Sequence, residues 1–195
     1  MRYLGKVTYL GTKYQGWQKQ NDVPSIQGKL EEVLSTLFNS KIEIFGSGRT
    51  DAGVHATGQY FTFDAVDRYE CNDLVYRVNC LLPEDIKILE FKKVSDDFHA
   101  RFSAKGKVYK YIIKNEEKDP FLFDRVCLYK EPIDIKLLEE ACKMFEGTHD
   151  FKDFTSKEED EDNFVRTIFS VSLEKIDENI TLTFEGNGFR YEQLF

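Results

Sequence analysis

Hydrophobic residues recur at two different spacings along the chain, and the order in which these spacings alternate most constrains the fold. Apolar side chains at every second position are typical of a half-buried strand, and a spacing of three and four is typical of an amphipathic helix. We expect Ser25 to cap the first helix, Asn72 or Asp73 to cap the second, and the second to end before Pro83. The first half predicts strand, helix, strand, strand, helix and strand, at residues 2–10, 25–38, 42–44, 60–63, 72–82 and 86–94.

The second half repeats the first four of these elements. A strand at 108–115, a helix ended by Gly147, and an antiparallel pair at 165–176 and 180–184 follow in order. Strands and helices mixed in this way favour an α+β fold. We predict two pseudo-symmetric halves, residues 1–104 and 105–195, that share a mixed, mainly antiparallel sheet with helices on one face.

The repeat stops at Phe195, before the helix and strand that would complete it. Burying about four large apolar side chains contributes roughly 8 kcal/mol to stability. Without the missing helix and strand, the apolar residues that they would cover lose this stabilisation. We therefore expect a truncated or divergent C-terminal half with an apolar patch that a partner covers. The alternative is that the internal repeat is not real.

The formal net charge of −8 conceals two basic segments. Residues 2–20 contain four Lys and Arg and residues 98–115 contain five, and neither segment contains Asp or Glu. Both are rich in aromatic residues, which offer flat faces to unstacked bases while the cations meet phosphates. The segments predict a nucleic-acid interface, although chance segregation on two amphipathic strands explains the charge equally well. The acidic run 158–162 is expected to be a solvated loop away from that interface.

The remaining composition favours a cytoplasmic protein without a membrane partner. No apolar run approaches the roughly 18 residues that cross a bilayer, and the N-terminus lacks the apolar region of a signal peptide. The four cysteines are scattered, which favours free thiols in a reducing compartment. They are Cys71, Cys80, Cys127 and Cys142.

A glycine-rich loop at residues 46–56 joins two predicted strands and holds the best candidate for chemistry. Arg49 and Asp51 flank Thr50, so that a cation lies beside a carboxylate and keeps it ionised at neutral pH. A positioned carboxylate can act as a nucleophile, as at the sugar carbons of glycosides. An Asp in such a loop more often only shapes the turn, so the residues alone leave both interpretations open.

Other chemistries fit this loop less well. No helix follows it, which argues against a phosphate-binding P-loop, and Ser47 lies outside a nucleophile elbow. The histidines are too far apart in sequence for a helical zinc pair; they are His55, His99 and His149.

Residues 48–56 closely resemble the active-site loop of the TruA-type tRNA pseudouridine synthases. The likeness continues in order along nearly the whole chain, which makes it specific. The other segments that resemble family motifs are Tyr14–Gln20, Ser25–Gln27, Asp97–Ala104, Lys107–Tyr111, Gly147–Phe151 and Val165–Ile168.

This resemblance implies isomerisation of uridine to pseudouridine at positions 38 to 40 of the tRNA anticodon stem-loop, without a cofactor or metal. It also implies a central RNA-binding cleft and a homodimer. Asp51 would be the catalytic nucleophile, Tyr109 would pack on the uracil and assist removal of the C5 proton, and Arg49 would flip the base and orient Asp51. We further expect RNA contacts from Lys107, Lys110, Tyr14 and Trp17.

Two of these aromatic residues have a simpler alternative. Tyr109 could be a half-buried strand residue, although its basic segment favours the RNA-facing interpretation. Trp17 could belong to the core, but its neighbours Gly16 and Gln18 favour an exposed loop.

The chain departs from the family pattern at its end. Gly186–Phe189 resembles the last family motif, but residues 190–195 do not continue it. Family members have an Arg there that pairs with the catalytic carboxylate, and here Phe195 takes its place. Two functions therefore stand: an active synthase, or a catalytically impaired RNA-binding module or truncated family member.

Overall fold

The computed structural model describes residues 1–114, 120–154 and 164–189. The chain divides into two compact units, Met1–Ala104 and Lys105–Phe195. Helices and strands occur in both units, which confirms the α+β class. The acidic run 158–162 and residues 190–195, on which two of the sequence predictions fall, lie outside the described residues.

The first unit is a four-stranded antiparallel sheet with two helices. The strands lie side by side in the order β2-β3-β1-β4. In chain order, the elements are β1 (Arg2–Tyr9), α1 (Ile26–Phe38), β2 (Ile44–Gly46), β3 (Ala56–Asp64), α2 (Cys71–Leu81) and β4 (Ile86–Val94).

The helices cover one face of this sheet because alternate strand residues point to it. Along β1 every second residue from Tyr3 to Tyr9 is buried and the residues between them are half-buried. Side chains from both helices pack into the same core, among them Leu30, Leu34, Leu74 and Val78. This core positions the ends of β1, β2 and β3, from which the candidate site is built.

The two helix starts differ in how well the sequence predicted them. Ser25 caps α1 as expected, because its hydroxyl oxygen accepts from the Gly28 N–H at 3.2 Å. Helix α2 follows Glu70, whose side chain makes no capping hydrogen bond, so a cap at Asn72 or Asp73 is wrong. Asp73 lies inside the first turn, where its carboxylate instead pairs with Arg77 one turn later at 2.7 Å.

The second unit is a five-stranded mixed sheet in the order β6-β5-β9-β8-β7. The pair β5–β6 is parallel and the other pairs are antiparallel. A short 3₁₀ helix spans Lys152–Phe154. The elements are β5 (Lys107–Lys114), β6 (Cys127–Leu128), α3 (Ile135–Met144), β7 (Gly147–Asp150), β8 (Val165–Ile176) and β9 (Asn179–Gly186).

Helix α3 covers the face of this sheet that carries its apolar residues. Its buried Cys142 shares a core with Leu182 and Phe184 of β9, and Tyr111 of β5 packs against them. The left-handed backbone of Asp177, with φ at 51°, makes the turn between β8 and β9.

The strands do not form the shared sheet that we predicted. Within the described ranges they hydrogen-bond in two sheets, one in each unit. In both sheets a hairpin lies beside the first strand, since β2-β3-β1 and β8-β9-β5 follow the same order. Hydrophobic periodicity identifies strands but does not report which distant strands will pair, and this is why the prediction failed.

Two smaller expectations concern the cysteines and the membrane. All four cysteines are free. Among the residues whose positions the structure describes, no helix is long and apolar enough to span a membrane.

Candidate active-site loop

Asp51 lies in the loop that joins β2 to β3, residues 47–55. We call it the catalytic loop after the role that the family resemblance implies for Asp51. Its backbone turns back on itself, because the Val54 N–H donates to the Asp51 carbonyl at 3.2 Å. The left-handed conformation of Gly53, with φ at 79°, permits this turn. Asp51 is half-buried and Arg49 is exposed. The loop therefore presents both groups from one short, folded segment.

A second loop, residues 10–17 between β1 and α1, holds the catalytic loop from both sides of Asp51. The Trp17 N–H donates to the Thr50 carbonyl at 3.0 Å, and the Gly53 N–H donates to the Tyr14 carbonyl at 3.2 Å. The Gly11 N–H donates to Nδ1 of His55 at 2.9 Å. His55 is thus a structural hydrogen-bonding partner of the second loop.

The two loops approach each other too closely for side chains at two positions. A Cβ at Gly16 would lie 2.5 Å from the Thr50 carbonyl oxygen, and one at Gly11 would lie 2.1 Å from the Val54 carbonyl oxygen. Gly16 also has a left-handed backbone, with φ at 87°. The glycines are thus required by the backbone contact that holds the catalytic loop.

Tyr9 and Gln59 brace the same loop from the strands beneath it. The Tyr9 hydroxyl donates to Gln59 Oε1 at 3.3 Å and lies 2.9 Å from Thr50 Oγ1. Because that hydroxyl has a single proton, Thr50 donates to Tyr9. The Gln59 amide donates to the Gly48 carbonyl at 2.8 Å. The chain on either side of Arg49 is therefore fixed to β1 and β3.

This brace was absent from the sequence-based interpretation. The signal that could have found it is the polar Gln59 at a strand position whose side chain faces inward, in register with buried Phe61 and Phe63. A polar side chain there needs hydrogen-bonding partners. The catalytic loop supplies one of them.

Tyr14 and Trp17 do not present their rings to solvent, so the expected exposure of this loop is wrong. Trp17 is 3% exposed, and its ring packs near Tyr9 and Phe61 with centroid distances of 6.1 and 6.3 Å. Tyr14 is 7% exposed, and its hydroxyl donates to Asp85 at 2.7 Å. Burial, with this hydrogen bond, raises the pKa of Tyr14. Both rings are packed inside the first unit, so neither has an exposed face on which a base could stack.

The basic character of residues 2–20 is largely compensated by acids from elsewhere in the chain. Arg2 pairs with Asp64 at 2.7 Å and lowers the pKa of that carboxyl. The other two ion pairs are Lys13–Asp85 at 3.9 Å and Lys19–Glu31 at 3.0 Å. Three of the four basic side chains in this segment therefore have an acidic neighbour from elsewhere in the chain, and its RNA-binding role stays a prediction.

The remaining candidate residues belong to the second unit. Tyr109 on β5 is half-buried, and its ring meets Phe189 edge-on with a centroid distance of 4.8 Å. Lys107 is half-buried and Lys110 is exposed. Alternate strand residues point to opposite faces, so Lys110 lies on the face of β5 opposite Lys107 and Tyr109. The two lysines do not form a single basic face.

Across the part of the chain that the structure describes, no three His, Cys, Asp or Glu residues form a group that could hold a metal ion.

Comparison with known proteins identifies the family to which this sequence is similar. Residues 7–103 and 141–194 match a family described as tRNA pseudouridine synthase. The tRNA pseudouridine synthase A of Oceanobacillus iheyensis is 41% identical over 192 residues, which cover 96% of this chain and 76% of that protein. The protein of the same name from Streptococcus pyogenes serotype M49 is 38% identical over 198 residues, covering 100% of this chain and 80% of that protein. The matched region contains the catalytic loop and the loop that holds it, and the chain belongs to the tRNA pseudouridine synthase family.

Proposed function

We propose that this chain isomerises uridine to pseudouridine in tRNA, with Asp51 as the catalytic nucleophile. The observation that carries the proposal is the fixation of the catalytic loop. Hydrogen bonds to Thr50 and Gly53 hold the chain on both sides of Asp51, while Arg49 lies two residues away. A nucleophile must be held in a reactive geometry to be effective, and family membership supplies the reaction class.

The reaction needs only rearrangement of the nucleotide. An Asp51 carboxylate oxygen attacks the sugar C1′ or the base, and the bond between C1′ and N1 of uracil breaks with its electron pair leaving on the base. The freed uracil turns so that C5 faces C1′, and a C5–C1′ bond forms as the Asp51 adduct is released. The C5 proton then leaves and N1 gains a proton. Atoms and electrons balance without an oxidant or reductant.

The uridine must leave its stack before Asp51 can reach it. This costs a few kcal/mol, which new contacts offset. Arg49 is exposed and lies two residues from the nucleophile in sequence, and we assign its guanidinium to occupy the space that the base leaves and to orient the carboxylate. We assign Tyr109 to pack on the flipped uracil and assist removal of the C5 proton, because its half-buried ring already has an aromatic neighbour in Phe189.

The phosphate contacts are assigned to the second basic segment. Lys107 and Lys110 lie on opposite faces of β5, so we expect them to contact different parts of the RNA. Each lysine that neutralises a phosphate releases counterions and steepens the salt dependence of binding. Charge reversal at either lysine should therefore weaken tRNA binding and reduce that slope by about 1.

The finer features of the proposal follow the family resemblance. The substrate positions are uridines 38 to 40 of the anticodon stem-loop. By this resemblance, residues 1–104 and 105–195 are two pseudo-symmetric halves that both contribute to RNA binding, and two copies of the chain form a homodimer in the cytoplasm. Sedimentation of the purified chain, with and without tRNA, tests the dimer.

Tritium release tests the proposed function. Transfer RNA carrying tritium at C5 of uridine loses it when C5 becomes bonded to the sugar. We expect release by the wild-type chain, mapped to positions 38 to 40 by primer extension across carbodiimide-modified pseudouridine. Release from other positions would contradict the assigned specificity while keeping the reaction.

The same assay separates the alternative, a catalytically impaired RNA-binding module. Such a module would bind tRNA with salt-dependent affinity and release no tritium. Filter binding on the same preparation provides the comparison. Absence of both binding and release would reject both functions.

A further inference from the structure

The residues that follow β4 form an exposed aromatic cluster on the first unit. The ring of His99 lies between Phe45 of β2 and Phe102, with centroid distances of 5.6 and 4.5 Å. Phe102 is 79% exposed and Phe45 is 49% exposed. We call Phe45, His99, Arg101 and Phe102 the aromatic platform. None of these residues contributes to the catalytic loop or to its brace.

The platform lies on the sheet face opposite the helices. Phe45 alternates with Ile44, which is buried in the helix-covered core, so its ring projects from the other face. Arg2, which precedes buried Tyr3, donates to the carbonyl oxygen of Phe98 at 3.2 Å and also to that of Asp96. The segment that carries His99 is thereby attached to β1.

A hydrogen-bonded turn holds the aromatic rings in place. The Ser103 N–H donates to the His99 carbonyl at 2.8 Å, and the His99 N–H donates to Ser103 Oγ at 3.2 Å. The Arg101 N–H donates to His99 Nδ1 at 3.1 Å, and Ala100 within the turn is 4% exposed. The rings are therefore presented by an ordered segment with a buried anchor.

The platform combines apolar faces with positive charge. The Arg101 guanidinium lies over the Phe102 ring, 5.9 Å from its centroid. Because Nδ1 of His99 accepts a hydrogen bond, the neutral ring carries its proton on Nε2 and can donate from there. Residues 98–114 contain no Asp or Glu. An exposed Phe ring lacks the stabilisation that burial would supply. A ring that an ordered turn keeps exposed beside a guanidinium is suited to bind a ligand with a flat face and a negative charge.

We propose that the aromatic platform binds an unpaired nucleotide of the RNA substrate other than the reacting uridine, by stacking the base on Phe102 and contacting the phosphate with Arg101. This proposal rests on the proposed function, since it takes tRNA as the ligand. It adds a second contact point to the first unit, on segments distinct from the catalytic loop. Aromatic side chains recognise splayed bases in this way because every base has a π face.

Binding of intact tRNA by the full chain tests the proposal. Phe102→Leu keeps an apolar side chain and removes the π face, and we expect Kd to rise about fivefold to a hundredfold. Phe102→Tyr restores the aromatic face and should bind like the wild type. Tyr76→Leu removes a ring that is 70% exposed on α2 of the same unit, and it should leave Kd unchanged.

The salt dependence separates the two parts of the contact. Stacking of a base on an uncharged ring releases no counterions. Phe102→Leu should therefore raise Kd without changing the slope of log Kd against log salt. Arg101→Gln should reduce that slope by about 1. Circular dichroism and thermal melting of each variant verify that the chain is folded, which we expect because both side chains are exposed.

Three outcomes would overturn the proposal. The first is a Phe102→Leu affinity within twofold of the wild type, and the second is an equal loss with Phe102→Tyr. The third is a dimer that dissociates on Phe102→Leu, which would make a second copy of the chain the occupant. A wild-type chain that binds tRNA but releases no tritium would reject the proposed reaction. The role of the aromatic platform would still be tested by the tRNA affinities of the Phe102 and Arg101 variants.

Discussion

Gln59 fixes Gly48 by donating its side-chain amide to the Gly48 carbonyl oxygen at 2.8 Å. Gln59 lies on the strand that leaves the catalytic loop, and Gly48 lies where the chain enters it. Tyr9 completes the brace, since its hydroxyl contacts both Gln59 and Thr50. The conformation around Asp51 therefore depends on side chains that lie outside the catalytic loop.

Gln59→Glu tests this brace. Glutamate keeps the size of the side chain and can still accept from Tyr9, but its carboxylate cannot donate to the Gly48 carbonyl. We expect tritium release at saturating tRNA to fall about 10- to 100-fold, because small displacements of a catalytic group are costly. The free energy of unfolding should fall by about 1–2 kcal/mol.

Thr57→Val is the matched control, at an exposed position of the same strand. It should alter neither the rate nor the stability by more than about 0.5 kcal/mol. A Gln59→Glu chain that releases tritium at the wild-type rate would show that the brace does not position Asp51.

Two glycines, Gly16 and Gly53, distinguish the energetic cost of a left-handed backbone from the cost of a steric clash. Gly16 and Gly53 both have left-handed φ values, of 87° and 79°, but only the former has a backbone oxygen 2.5 Å from its Cβ position. Alanine at either residue should cost about 1–2 kcal/mol for the backbone conformation. We expect Gly16→Ala to cost more than Gly53→Ala in urea unfolding, because the two loops must also move apart. Equal costs would contradict the close contact between the loops.

Trp17, the single tryptophan of the chain, reports directly on the loop that holds Asp51. Because it is 3% exposed, its fluorescence should be blue-shifted and weakly quenched by acrylamide. Saturating tRNA should leave this emission largely unchanged, since no base can stack on a buried ring. Strong quenching by acrylamide, together with a large change on tRNA binding, would restore Trp17 as an RNA contact.

The sequence predicted helices and strands well where a short stretch of residues shows a clear hydrophobic period or capping pattern. Strands β4 and β8 have the predicted limits, and Ser25 caps α1, since alternation and capping act over a few residues. Strands β6 and β7 were missed, because they have two and four residues and too few buried positions to show a period. The sequence indicated the catalytic loop through its glycines and its resemblance to a family.

The sequence could not show how the surroundings of that loop are arranged. The acids that compensate Arg2, Lys13 and Lys19 are far away along the chain, and segment charge does not reveal them. Trp17 looked exposed because glycine and glutamine flank it, yet its indole is buried against Gly46, Tyr9 and Phe61. Both features arise from tertiary contacts that local composition does not reveal.

The hydrogen bond of Tyr14 to Asp85 predicts a pH dependence of stability. The pKa of Tyr14 is raised in the folded chain, so on raising the pH the unfolded chain loses this proton first. The contribution of the hydroxyl is complete below about pH 10, the ordinary pKa of tyrosine, and is lost as the pH rises toward the folded pKa.

Tyr14→Phe measures this contribution. Near neutral pH the variant should be less stable by about 1 kcal/mol in urea unfolding. Above pH 10 the difference between the wild type and the variant should shrink, since the variant has no proton to lose at that position. A difference that stays constant to pH 11 would show that burial and the Asp85 bond do not hold the proton.

Tritium release by Asp51→Asn tests the central claim most directly. Asparagine preserves the shape of the side chain but removes the nucleophilic carboxylate. Single-turnover assays with C5-tritiated tRNA should be run at concentrations that saturate both proteins, with Kd measured alongside. We expect Asp51→Asn to bind tRNA within a few-fold of the wild-type Kd and to release no tritium above background. Release within tenfold of the wild-type rate would contradict the assignment of Asp51 as the nucleophile.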